Sequence, residues 1–127
     1  MIHEEICTYE VCKLAKEKGF DVPTFGYYRI DTEDWYRTDV YDDWNDSTIR
    51  YSAPTQSLLQ RWLREEKGII VEVFVDDDSN MPITYNIHQY KDFEWKCMCH
   101  HHGNYYSIED WEICLSDALK YALENLV

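Results

Sequence analysis

The chain has 127 residues, 45% apolar and 16% aromatic, and carries 25 acidic against 12 basic side chains for a formal charge of −13. That length and composition fit a single acidic domain over residues 1–127 with a core of its own, and they exclude a disordered chain. The charge argues against direct nucleic-acid or anionic-membrane partners, since every phosphate contact needs a cation, and it suits docking onto a basic protein surface.

The opening MIHEEICTYEVCK shows no basic segment followed by an apolar run, so no signal peptide is expected there. No stretch approaches 18 consecutive apolar residues, the length of a membrane span. Five cysteines is an odd count, spread through ordinary elements, which suggests reduced thiols in a cytoplasm rather than a disulfide framework.

In chain order, Thr8 is the expected N-cap of a helix running to about Lys18, with Val11, Leu14 and Ala15 on one stripe and Gly19 as its stop. Thr24 to Ile30 reads as an aromatic-rich strand, Asp31 to Asp34 as a polar turn and Trp35 to Tyr41 as the hairpin partner. Asp42 to Ser47 is a loop, after which Ile49 to Tyr51 resumes an extended path. Pro54 biases Ala53 away from helix, Thr55 caps, and Leu58, Leu59, Trp62 and Leu63 form one apolar stripe closed by Gly68. Ile69 to Val75 alternates as a strand, Asp76 to Asn80 turns, Pro82 marks a strand edge, and Ile83 to Tyr90 alternates again. Phe93 to Met98 is a candidate last strand before a loop through His100 to Gly103. Ser107, with Asp110 in the reciprocal capping position, opens a helix striped by Trp111, Cys114, Leu115, Ala118, Leu119, Ala122 and Leu126. Hairpins interrupted by helices predict an α+β fold. The expected form is one antiparallel sheet of four or five strands with three helices mainly on one face, in the order α-β-β-α-β-β-(β)-α. Matching periodicity places Leu59, Trp62, Val71, Val73, Ile87, Trp111, Leu115 and Leu119 in one core.

The blocks EVCKLAKEKGFDVP, SAPTQSLLQRWLREEKGIIVEV and YSIEDWEICLSDALKYALENLV carry a likeness to a known family. Through them the chain resembles small proteins found in phages and integrated mobile elements of Bacteroides-type gut bacteria, to which no activity is assigned. The resemblance covers both ends and the middle, and it implies a setting in the cytoplasm of a bacterial host. It supplies no catalytic residues.

The most metal-like cluster is Cys97, Cys99, His100, His101 and His102. In an extended segment Cys97, Cys99 and His101 would share a face, where a three-ligand zinc chelate is conceivable. Structural zinc sites take two separated ligand pairs, however, and only His88 or His3 lies elsewhere, so a strand end running into a polar loop is the plainer reading. Asp76, Asp77 and Asp78 invite a calcium loop, yet Met81 and Ile87 stand where the required glycine and glutamate belong. Cys97 or Cys99 beside His100 is the one thiol–imidazole pair in sequence, while Cys114 lies on an apolar stripe as a small core residue. No catalytic residue, metal or cofactor is therefore assigned.

The remaining feature is Tyr27 to Trp44, which interleaves aromatic residues with carboxylates and only two arginines. One alternate set must pack on the sheet. Asp31, Glu33, Asp34, Trp35, Tyr36, Asp39, Tyr41, Asp42, Asp43 and Trp44 are the expected partner-binding surface, because aromatics supply interface energy and carboxylates steer toward a basic partner. A stacking platform for bases would need a basic groove. The leading expectation is a non-enzymatic protein-binding module, sharpened by the resemblance to an accessory or counter-defence protein that masks a basic, nucleic-acid-binding surface of a host protein. The alternatives are a small metal-dependent or cysteine-based hydrolase using Cys97 to His102, and a self-associating structural component. The oligomeric state stays open.

Overall fold

A computed structural model describes residues 4–76, 83–101, 105 and 107–127. The expected features at His3, at 77–82 (most of the acidic turn, Met81 and Pro82), and at His102 and Gly103 lie outside the described residues. The chain divides into two compact units, Met1–Trp62 and Leu63–Val127, with the division falling inside a helix.

In the first unit, helix α1 (Tyr9–Glu17) begins at Thr8, whose hydroxyl accepts from the Val11 N–H at 3.3 Å. Val11, Cys12 and Ala15 are buried. Gly19 stands at φ +91°, where a side chain is strained, and the chain turns back so that the Phe20 N–H donates to Ala15 O at 2.9 Å. Strands β1 (Thr24–Arg29), β2 (Trp35–Asp42) and β3 (Arg50–Ser52) form an antiparallel sheet in the order β2-β1-β3. The β1–β2 turn closes without glycine because Glu33 takes the left-handed conformation (φ +61°) while its N–H bonds to Arg29 O at 2.9 Å. Helix α2 (Gln56–Lys67), inside which the division falls, is capped by the Thr55 hydroxyl, 3.2 Å from the Leu58 N–H; Leu59 and Trp62 are buried in its first-unit part and Leu63 in the remainder.

In the second unit, β4 (Ile69–Val75), β5 (Ile83–Lys91) and β6 (Glu94–His101) form an antiparallel sheet in sequence order. Ile69, Val71 and Val73 pair with Gln89, Ile87 and Tyr85, so the apolar alternates of β4 and β5 share a face. Helix α3 (Trp111–Asn125) packs against β4 and β5 and buries Cys114, Leu115, Ala118, Leu119, Ala122 and Leu123. One 3₁₀ turn, Ile108–Asp110, precedes it, and the Ser107 N–H donates to Asp110 Oδ2 at 3.1 Å. No helix among the described residues is long and apolar enough to cross a membrane.

The α+β class with three helices is therefore as expected, but the sheet differs. Among the described residues there are six strands in two three-stranded sheets rather than four or five in one. The extended path before α2 becomes the short strand β3 by pairing with β1, and β6 continues to His101 by pairing with β5. Cross-strand partners supply those bonds, and no local pattern advertises them. Six of the eight expected core residues are buried. Val73 and Trp111 are only half-buried, because burial falls along β4 from Ile69 to an exposed Val75 and Trp111 occupies the first turn of α3.

Candidate functional site

β2 is the edge of its sheet and is exposed along its length apart from a half-buried Thr38. It nevertheless carries Trp35, 43% exposed, Tyr36, Val40 and Tyr41, 55% exposed. The register explains how one strand presents rings in two directions. Tyr36 opposes Tyr27, with ring centroids 5.7 Å apart, while Trp35 and Arg37 oppose Tyr28 and Gly26 on the other face. The register then slips: Gly26 pairs with Arg37 but Thr24 pairs with Asp42, so Thr38 to Tyr41 bulge outward opposite Phe25. The Thr38 hydroxyl accepts from the Val40 N–H at 2.9 Å inside the bulge, and Tyr41 turns its ring onto Phe25 at 4.7 Å.

The acidic residues of the stretch fall at the two ends of β2. Asp31, Glu33 and Asp34 form the turn before it, where Asp31 pairs with Arg29 at 2.7 Å. Asp39, Asp42 and Asp43 lie at the other end. Asp42 Oδ1 accepts from the Asp43 N–H at 2.8 Å, and Asp43 Oδ1 from the Asn45 N–H at 3.0 Å, starting a 3₁₀ turn, Trp44–Asp46. Partial burial, with Asp46, Asp21 and Asp42 nearby, holds the Asp43 carboxyl above its ordinary range. Trp44 stands apart from the other aromatics. It is half-buried, donates from Nε1 to Thr24 O at 3.0 Å, and packs against Tyr27 at 5.0 Å with the Arg50 guanidinium over its ring. Its contacts hold the loop to the sheet.

A cleft of about 520 Å³ opens in the first unit beside β2. Its walls are Ile6, Phe25, Trp35, Tyr41, Pro54 and Leu58, with Glu4 and Arg37 as its charged members. Gly26 makes it possible: a Cβ there would stand 2.8 Å from Trp35 Nε1 and 3.1 Å from Tyr36 O, so only glycine lets the indole lie against β1. The aromatic pattern in the sequence signalled the Trp35 and Tyr41 wall. Nothing in it signalled that Ile6 and Leu58 complete the cleft.

The two cysteines of the Cys–His segment are separated rather than brought together. Ile87 pairs with Cys99 and the adjacent His88 with Cys97, so Met98 is an extra residue in β6. That bulge places Cys97 on the His88 face and Cys99 on the Ile87 face. The shared face expected for an unbroken strand is therefore lost. No group of three His, Cys, Asp or Glu residues that could hold a metal occurs among the described residues. Cys7, Cys12 and Cys114 are buried, which pushes the Cys7 and Cys114 thiols up to about 12 and Cys12 well above its ordinary value. Thiols so placed stay protonated and unreactive at neutral pH. A thiol reagent should therefore modify Cys97 first in the native protein, Cys99 more slowly, and the other three only on denaturation. Fewer than five thiols after denaturation, or one zinc per chain by elemental analysis, would contradict this assignment.

Two groupings escaped the sequence reading. Asn45 ties three segments, donating to Phe20 O at 2.7 Å and accepting from the Ser52 N–H at 2.8 Å. In the second unit the buried Tyr105 donates its hydroxyl proton to Asp117 Oδ2, and burial together with that carboxylate pushes the phenol's pKa up. The β5–β6 turn adds a second aromatic surface. Asp92 and Phe93 both take positive φ (+55° and +66°), Phe93 is 95% exposed, and Tyr90 and Trp95 meet behind it at 5.2 Å. No protein-family model, curated protein or solved structure matches this chain.

Proposed function

We propose that this protein is a non-enzymatic, acidic protein-binding module that meets a basic protein surface through β2 and the turns at its ends. In the phage or mobile-element setting that the resemblance implies, the partner is a host protein in the bacterial cytoplasm whose nucleic-acid-binding surface becomes masked. This is the work of an accessory or counter-defence protein. The observation that carries the reading is the exposure of Trp35, Tyr36 and Tyr41 on an edge strand bounded at both ends by carboxylates. Exposed rings within a polar rim are the residue pattern of an interface, and carboxylates around them raise the rate of encounter with a cationic partner. The hydrolase alternative, which uses Cys97 to His102, draws no support from the placement of its two cysteines on opposite faces of β6.

The test is affinity capture from a host lysate, followed by association kinetics of the captured protein across a salt series. Replacing Asp39, Asp42 and Asp43 together with asparagine should slow association several-fold at low salt and flatten its salt dependence. The side-chain oxygens that accept from the Asp43 and Asn45 N–H groups are retained, so thermal stability should be unchanged or slightly higher. The sign follows from Asp43. Its carboxyl is raised, so protonation favours the folded chain, and stability from this group is gained as pH falls and lost as pH rises. The variant should lose that acid-side gain. Wild-type association rates at every salt concentration would overturn the proposal.

A further inference from the structure

The cleft beside β2 has apolar walls but acidic surroundings, and that combination selects an occupant. We infer that it receives one large apolar side chain, phenylalanine or leucine in size, projecting from an extended, lysine- or arginine-rich segment of the partner. This inference rests on the proposed function and names the chemistry of the partner's docking segment.

Three observations lead there. First, the cleft is a concavity of about 520 Å³, within the range of sites that enclose a ligand, and it is walled by Ile6, Phe25, Trp35, Tyr41, Pro54 and Leu58. Phe25, Trp35 and Tyr41 are left with 54%, 43% and 55% of their surface in water, so an apolar group seated there withdraws rings that the fold itself leaves wet. Second, the charge around it is predominantly negative. Glu4 lines the cleft, Asp39 and Asp42 bracket the Tyr41 wall in sequence, and Asp31, Glu33 and Asp34 precede the Trp35 wall, against Arg37 as the lining cation. A second copy of this chain is the wrong occupant, because pairing β2 with β2 would set these carboxylates against their own kind in a chain that already carries −13. Third, plain strand addition is blunted. The Thr38–Tyr41 bulge breaks the edge after Arg37, and the Thr38 hydroxyl already accepts from the Val40 N–H at 2.9 Å. A partner therefore gains its hold from a side chain in the cleft more than from backbone pairing along β2.

The experiment uses three synthetic twelve-residue probes and the full chain, read by fluorescence anisotropy at low salt. One probe alternates lysine and serine around a central phenylalanine, the second replaces that phenylalanine with alanine, and the third keeps it but replaces lysine with glutamate. The phenylalanine–lysine probe should bind about tenfold or more tighter than the alanine–lysine probe, the scale of withdrawing one large apolar side chain from water. The glutamate probe should not bind. Trp35→Ala, a change at an exposed position, should abolish the difference between the two lysine probes and leave the weaker one unaffected. Arg37→Glu should tighten both lysine probes. Equal binding of the two lysine probes would overturn the cleft assignment while leaving the acidic-surface reading standing. Binding of the glutamate probe alone, or weaker lysine-probe binding after Arg37→Glu, would mean an anionic occupant and sink both. Absence of binding by all three probes would overturn the inference, with the captured partner's salt series still deciding the broader reading.

Discussion

Truncating Trp62 to alanine is expected to cost about 3–5 kcal/mol, the range for emptying a buried indole site. Trp62 is 5% exposed and its ring meets Phe20 edge-on, with centroids 5.4 Å apart at 74°. Phe20 is 1% exposed and its backbone is tied to Ala15 O, so its main chain is held against shifting into the space left behind. The loss therefore combines the transfer energy of the indole, an open cavity and a ring–ring contact of about 0.5–1.5 kcal/mol. Small domains hold about 5–15 kcal/mol in total, so the variant should stand near its folding threshold. Urea unfolding should show a lower midpoint at unchanged slope. A variant as stable as the parent would mean that the α2 stripe does not seat in a core.

In the second unit the corresponding site is Ile87. Its replacement by alanine should cost about 2–5 kcal/mol, and by valine about 0.5–1.5 kcal/mol. Ile87 is fully buried on the central strand, paired with Val71 on one side and Cys99 on the other. Both flanking strands thus fix its backbone, and little relaxation is available to close a cavity. Hydrogen exchange should report the loss as faster exchange of the β4, β5 and β6 amides. Equal stability of the alanine and valine variants would show that the site collapses freely and is not close-packed.

The three helices and their ends were legible because each is specified by residues within a few positions. Thr8 and Thr55 accept from amides three residues on, and Gly19 and Gly68 sit at φ +91° and +64°. Strand alternation was legible for the same reason, as in Ile83, Tyr85 and Ile87, all buried on one face. The candidate surface was legible in part. The aromatic–acidic pattern of β2 marks Trp35, Tyr36 and Tyr41, and all three are exposed. Trp44 follows the same pattern, yet its indole N–H finds Thr24 O, a carbonyl twenty residues earlier in the chain.

What the sequence determined by itself, then, is the α+β class, the caps, the apolar stripes and the concentration of carboxylates around a set of rings. Tertiary structure alone decided which residues oppose which. One extra residue at Met98 sends Cys97 and Cys99 to different faces and dissolves a plausible chelate, and a slip at Thr38–Tyr41 turns Tyr41 onto Phe25 to wall a cleft. The physical reason is that side-chain direction in a strand has period two. A one-residue bulge therefore reverses every face beyond it, and bulges are set by the partner strand's bonds and packing rather than by local propensity.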